Sequence, residues 1–275
     1  MSRLLDGKIA LVTGAGRGFG TGIAQALVAA GASVGVNDLD SPELDQAVAE
    51  IAASGGQAIR CPGDVSDFAA MENVVQQIVA RWGRLDIVVS NAAILPLISF
   101  EETTPKLWHK ILGINLTGVY NTVKAAWPWL TVQGGHCIAI ASGASVRGSY
   151  NEVAYCTAKH GLEGFTKALA MEAEPRHIAV NTMGPGKIIK PTSVSRTEFA
   201  QFSQAEQARY ADPAELGKAF VWLAAQPPAR FTGLRFDAGP LADTIAAEGY
   251  DFAFAPEKAT LYVDDFVARQ RRRQE

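Results

Sequence analysis

Short β-branched runs alternate with longer stretches of helical period along most of the chain. Ile9 to Thr13 precedes Gly18 to Ala30, Ser33 to Asn37 precedes Pro42 to Ala53, Ala58 to Cys61 precedes Phe68 to Trp82, and Ile87 to Ser90 precedes a long helical region. Near-continuous apolar runs suit strands buried on both faces, and strands alternating with helices argue for a parallel sheet covered on both sides. Gly31, Gly55-Gly56 and Gly83 fall where the first three helices must stop. Beyond them, Cys137 to Ala141 reads as a buried strand, Val153 to Glu174 as a helix, Ile178 to Thr182 as a strand, and Leu234 to Phe236 as the last of about seven strands. Trp127-Pro128-Trp129 is expected to end or kink a helix, because proline lacks the N–H and crowds the preceding turn, and to pack against a neighbouring element. No repeat or low-complexity linker interrupts the pattern. It predicts one doubly wound α/β domain over residues 1–239, followed by an extension over 240–275 that packs on the domain or on a neighbouring subunit.

Composition narrows the function classes. With 275 residues and 48% hydrophobic content the chain can bury one substantial core. A net charge of -3 lacks the basic excess of a nucleic-acid binder. No apolar run approaches the ~18 residues of a membrane span, and the opening MSRLLDGKIALV lacks the apolar core and cleavage site of an export signal. A cytoplasmic protein with neither a nucleic-acid nor a membrane partner is expected. Cys61, Cys137 and Cys156 form no CxxC pair and read as thiols of a reducing compartment. His109, His136, His160 and His177 show no ligand spacing, so no catalytic metal is expected.

Thr13-Gly14-Ala15-Gly16-Arg17-Gly18-Phe19-Gly20 follows a strand and opens a helix. A dinucleotide pyrophosphate can rest there on free backbone N–H groups and the positive helix end, provided no Cβ stands in the way. Asp38, with Leu39 beside it, ends the second strand about twenty residues past the turn, where a carboxylate accepts from adenosine ribose hydroxyls. A 2′-phosphate close to that carboxylate would be repelled by roughly 1–4 kcal/mol. NAD is therefore expected over NADP, although Arg17 pulls the other way as a cation near the same ribose.

Tyr155 and Lys159 are four apart in a helical stretch and share one face, while Ser142 lies thirteen positions before Tyr155 at a strand end. A tyrosine of ordinary pKa near 10 shuttles protons poorly at neutral pH unless a nearby cation favours phenolate. A serine hydroxyl can donate to a substrate oxygen as its charge develops. The order TGxxxGxG, Asp38, Asp64-Val65, Asn91-Ala92, Asn115, Ser142, Tyr155-x-x-x-Lys159 and Pro185-Gly186 resembles the short-chain dehydrogenase/reductase family from about Leu5 to Gly239. The resemblance implies a Rossmann-type fold with a tetrad of Asn115, Ser142, Tyr155 and Lys159. It further implies that Lys159 holds the nicotinamide ribose and that Asn115 anchors a water in a proton relay. Asp64 and Val65 would flank the adenine, Asn91 and Ala92 the adenosine side, and Pro185, Gly186 and Ile188 the nicotinamide. A homodimer or homotetramer, paired through the helices that carry Asn115 to Trp129 and Tyr155 to Ala170, follows from the same resemblance.

Some positions depart from the family pattern. Ser90 and Ala93 replace Asn and Gly, Ala141 stands where a second Ser is common, and Asp237-Ala238-Gly239 replaces Asp-Gly-Gly. Lys190 occupies the place of a carboxamide-binding threonine and carries a cation that would attract an anionic substrate group. In the extension, Tyr250, Phe252 and Phe254 present one apolar edge, Pro256 suits a helix start, and Tyr262, Val263, Phe266 and Val267 form a stripe. That tail is expected to dock over an active-site entrance. The reading as a whole is an NAD-dependent interconversion of a secondary alcohol and a ketone. Alternatives are an NADPH-dependent carbonyl reductase and a non-catalytic NAD-sensing protein of the same fold.

Overall fold

The computed structural model describes residues 3–53, 55–191, 194 and 196–254, without the side chains of Arg196 and Thr197. In chain order, β1 (Ile9–Val12), α1 (Gly18–Ala29), β2 (Ser33–Asp38), α2 (Pro42–Ala53), β3 (Gln57–Pro62), α3 (Phe68–Trp82) and β4 (Ile87–Ser90) build the first half. The helix α4 (Pro105–Leu112) passes through a π-helical turn, Gly113–Thr117, into α5 (Gly118–Gln133). Then come β5 (Gly135–Ile140), α6 (Val153–Ala173), β6 (Ile178–Gly184), the short α7 (Arg196–Ala200) and α8 (Gln204–Gln207), α9 (Pro213–Ala224), β7 (Arg235–Asp237) and α10 (Ala238–Glu248). The strands form one sheet in the order β3-β2-β1-β4-β5-β6-β7, and every neighbouring pair is parallel.

Strand side chains alternate between two cores, as the period of two requires. Ala10, Val12, Val34, Val36, Val89, Ile138 and Met183 face α1, α2, α9 and α10. Leu11, Val88, Cys137, Ala139 and Val180 face α3, α5 and α6. Local signals set the helix ends. The Asp67 carboxylate accepts from the N–H groups of Ala69 and Ala70 to start α3, and Gly83 at φ 78° closes it in the left-handed region. The expected strand at Cys137 to Ala141 begins earlier, at Gly135, and the last strand sits one residue later than expected.

Pro128 does not end its helix, because α5 runs on to Gln133, and Trp127 and Trp129 pack against the α3–α5–α6 core. Tyr250, Phe252 and Phe254 pack against the α1–α9–α10 core, on the opposite face of the sheet from α6. Phe252 stacks on Trp222 with centroids 5.1 Å apart, and Phe254 touches Trp222, Phe231 and Phe236. Residues 250–254 therefore pack on the domain beside the edge strand β7. The stripe expected at Tyr262, Val263, Phe266 and Val267 lies outside the described residues.

Phe252 is half-buried against a buried indole, so Phe252→Ala should lower the unfolding free energy by about 2 kcal/mol in a denaturant titration. An unchanged midpoint would mean that the ring stack adds nothing to the fold.

Candidate active site

In an open parallel sheet the crevice at the carboxyl ends of the strands, where crossovers change side, is the natural ligand site. Here that point lies between β1 and β4, and the glycine turn rises from it. Gly14 and Gly18 both take φ 61°, which L side chains rarely adopt, and a Cβ on Gly18 would meet nothing within 4 Å. The turn thus leaves an open cradle at the start of α1, as a pyrophosphate needs. A Cβ on Gly20 would lie 2.4 Å from the Gly14 carbonyl oxygen, so the third glycine permits α1 to press on the turn. Arg17 is exposed and Phe19 is buried against Phe220.

Asp38 reaches the turn directly. Its Oδ2 accepts from the Gly16 N–H at 3.0 Å and its Oδ1 from the Leu39 N–H at 2.8 Å, leaving acceptor capacity on both oxygens for a ribose diol. A Cβ on Gly16 would come 3.0 Å from that carboxylate, so the glycine lets Asp38 approach the turn, a contact the sequence reading left unassigned. Asp64 Oδ1 accepts from the Ser66 N–H and hydroxyl, while the Val65 carbonyl accepts from Asn121. Asn91 works chiefly on the protein itself: its Nδ2 donates to the carbonyls of Thr13 and Gly14, both at 2.9 Å, and the N–H groups of Asn91 and Ala92 donate to the Thr13 hydroxyl.

Ser142, Tyr155 and Lys159 converge beyond the end of β5. Lys159 is 2% exposed, donates to the Ile140 carbonyl at 2.7 Å, and lies 5.6 Å from the Tyr155 ring centre. Burial pulls its pKa down to about 8, against a partly offsetting carboxylate at Glu163. Burial pushes Tyr155 up from its ordinary value, the Ser142 side chain brings it partly back, and Glu152 adds to the rise. The Ser142 hydroxyl accepts from the Ala144 N–H, and the Ser145 hydroxyl accepts from the Ser142 N–H. Asn115 stands in the π-helical turn and is fully buried. Its amide is committed to Ile94, accepting from that N–H at 3.0 Å and donating to that carbonyl at 2.9 Å.

On the nicotinamide side of the family pattern, the Pro185 carbonyl accepts from the Gly239 N–H, Gly186 takes φ 63°, and Ile188 is exposed. A Cβ on Gly184 or Gly186 would meet Asp237 at 2.5 or 2.9 Å, which is where the Asp-Ala-Gly segment closes on the loop. The Lys190 ammonium is engaged by its own loop, donating to the carbonyls of Pro191 and Val194. A cavity of about 510 Å³ includes Lys187 and Ile188 but none of Asn115, Ser142, Tyr155 or Lys159, so volume alone does not mark this site. Among the described residues no three His, Cys, Asp or Glu side chains gather as a metal would require, and no helix is long and apolar enough to cross a membrane.

Comparison with known proteins places the chain in a family. Residues 8–201 match the family described as short chain dehydrogenase. D-beta-hydroxybutyrate dehydrogenase of Cupriavidus necator is 35% identical over 232 residues, which are 83% of this chain and 86% of that protein. A solved protein of Sinorhizobium meliloti 1021, described as a short-chain alcohol dehydrogenase, superposes with a TM-score of 0.76 at 32% identity, covering 85% of this chain and 95% of the other. A metagenomic short-chain oxidoreductase in complex with NADP superposes with a TM-score of 0.71 at 27% identity, covering 83% and 95%.

The buried ammonium gives a pH signature. Between about 8 and the ordinary 10.5, the unfolded chain still holds a proton that the folded chain has released, so stability rises with pH across that window. Below it both states are protonated and the whole burial penalty applies. Relative to Lys159→Met, the wild type should therefore gain roughly 3 kcal/mol as pH climbs through the window, read from denaturant unfolding at several pH values. A constant difference between the two proteins would contradict a buried, titrating Lys159.

Proposed function

This chain belongs to the short-chain dehydrogenase family, and we propose that it interconverts a secondary alcohol and a ketone, using NAD, with Tyr155 as the general acid and base. The observation that carries the reading is the convergence of Ser142, Tyr155 and a dry Lys159 at the ends of the strands next to the glycine cradle. Bound nicotinamide would supply the hydride acceptor or donor at its C4. In oxidation the Tyr155 phenolate accepts the alcohol proton while the Ser142 hydroxyl donates to the substrate oxygen; in reduction the Tyr155 O–H donates. The Lys159 ammonium favours phenolate, and its donors suit the nicotinamide ribose hydroxyls. Asn115 closes the far side by tying Ile94 to the π-helical turn, and we assign it the water of a proton relay by family likeness.

Asp38 supports NAD as the cofactor, since its carboxylate is held against the turn where a 2′-phosphate would have to sit. An NADPH-dependent carbonyl reductase is the second reading, supported by the exposed Arg17 and by the NADP complex of the metagenomic relative. For the substrate we favour an uncharged alcohol with an apolar body. Leu95, Leu97, Val146, Tyr150, Val153 and Ile188 supply half of the twelve large apolar side chains exposed among the described residues, and all lie on segments next to Ser142, Tyr155 or Gly186. Ile98 donates to the Asn151 carbonyl at 2.9 Å, which ties two of those segments together. Exposed Tyr120 and Val132 on α5 are compatible with a homodimer or homotetramer paired through α5 and α6.

Tyr155→Phe keeps the ring but loses the proton carrier, so turnover should fall by at least about 100-fold with cofactor affinity preserved. The assay is NADH absorbance over a panel of neutral, carboxylated and polyhydroxy secondary alcohols; a variant with more than half the wild-type rate would remove Tyr155 from the mechanism. In that panel neutral apolar alcohols should show the highest kcat/KM, and a preference for carboxylates or polyols would overturn the substrate assignment.

Asp38→Ala should narrow the preference for NAD over NADP, measured as the ratio of their dissociation constants. A wild type that already binds NADPH better would contradict the role given to Asp38.

A further inference from the structure

Glu163 lies one helical turn beyond Lys159 in α6, and Arg235 stands in the edge strand β7. Neither has a part in the chemistry above, yet they are only 8% and 6% exposed. Arg235 Nη1 donates to Glu163 Oε1 at 2.9 Å, while its Nη2 donates to the Ser142 carbonyl at 3.0 Å and lies 3.8 Å from Asp237 Oδ1. From β6, the Thr182 hydroxyl donates to Glu163 Oε2 at 3.1 Å. One guanidinium thus joins β7, α6 and the residue that carries the Ser142 hydroxyl. A buried ion pair is a costly way to fill a core, since apolar side chains of similar volume often serve as well. Packing alone does not account for this one.

We propose that Glu163 and Arg235 are a positioning pair for the reaction centre: Glu163 is the counter-charge of buried Lys159, and Arg235 pairs with Glu163 while holding the Ser142 main chain opposite Tyr155. The inference rests on the assignment of Tyr155 and Lys159 made above. The charged and titratable groups facing Lys159 and its partner are Tyr155 and Glu163 from α6, and Arg235 and Asp237 from β7. The Ile140 carbonyl from β5 and the Thr182 hydroxyl from β6 add neutral dipoles. Burial drives Lys159 toward the neutral amine and the Glu163 carboxylate opposes it, so the ammonium that Tyr155 needs is maintained from the next turn of the same helix.

The test follows the titration of Lys159 itself, through the NMR shift of its isotope-labelled Cε, assigned by its loss in Lys159→Met. Glu163→Gln should lower the Lys159 midpoint by about one pH unit, since the nearest opposite charge is gone. Arg235→Met should raise it, because a like charge is removed and Glu163 is left uncompensated. Opposite signs from the two halves of one ion pair are the signature; shifts of the same sign, or none, would overturn the proposal. The double variant Glu163→Gln with Arg235→Met replaces the pair by neutral side chains of similar size and should fold with a midpoint below that of the wild type. If neither single variant is soluble, the double variant decides alone, and a wild-type midpoint in it would refute the pairing. The titration needs neither substrate nor cofactor. The expected shifts together with a fully active Tyr155→Phe protein would therefore keep the pair and reject the catalytic reading.

Discussion

Where β1 and β4 end side by side, the Thr13 hydroxyl accepts from the N–H groups of both Asn91 and Ala92, and the Asn91 amide donates back to the carbonyls of Thr13 and Gly14. This clip holds the two strands together at the place where the crossovers part to opposite faces of the sheet. The glycine turn leaves β1 here, and its φ values, the approach of α1 at Gly20 and the reach of Asp38 to the Gly16 N–H all depend on where the clip places Gly14. Its polar groups satisfy one another within the protein, so the remaining turn N–H groups at the start of α1 are free for an anionic ligand.

The other half of the site is governed by desolvation. Lys159 is packed between β5 and α6 with a backbone carbonyl as its direct acceptor, a setting that favours the neutral amine. A cation that must stay charged there needs an opposite charge close by, and Glu163 meets that need at the cost of being buried itself. Arg235 answers the second burial, and its remaining donor fixes Ser142. Each charge is tolerable only because the next is present, which ties the edge strand β7 to the chemistry at the end of β5.

Much of this was legible in order along the chain. The β-branched runs, the glycines that stop helices and the TGxxxGxG turn are local signals, and patterns of this kind placed all seven strands, α1 to α3 and α6 to within a few residues. Pro128, expected to end or kink its helix, does not end it, and Trp127 and Trp129 pack on the core as α5 runs on to Gln133. Lys190, expected to carry a cation near the nicotinamide end, donates to the Pro191 and Val194 carbonyls of its own loop, and no periodicity foretells such bonds.

What the sequence by itself determined was the alternation of elements and the glycine turn, because periodicity and backbone sterics act across a few residues, while its resemblance to a family supplied the candidate tetrad. The neighbours of that tetrad were decided only by the tertiary structure. Glu163 and Arg235 are 72 positions apart, and nothing in the chain marks either as other than an ordinary surface charge. They meet because β6 and β7 pair in parallel beside β5, which buries both side chains, and a buried charge is stable only beside an opposite one.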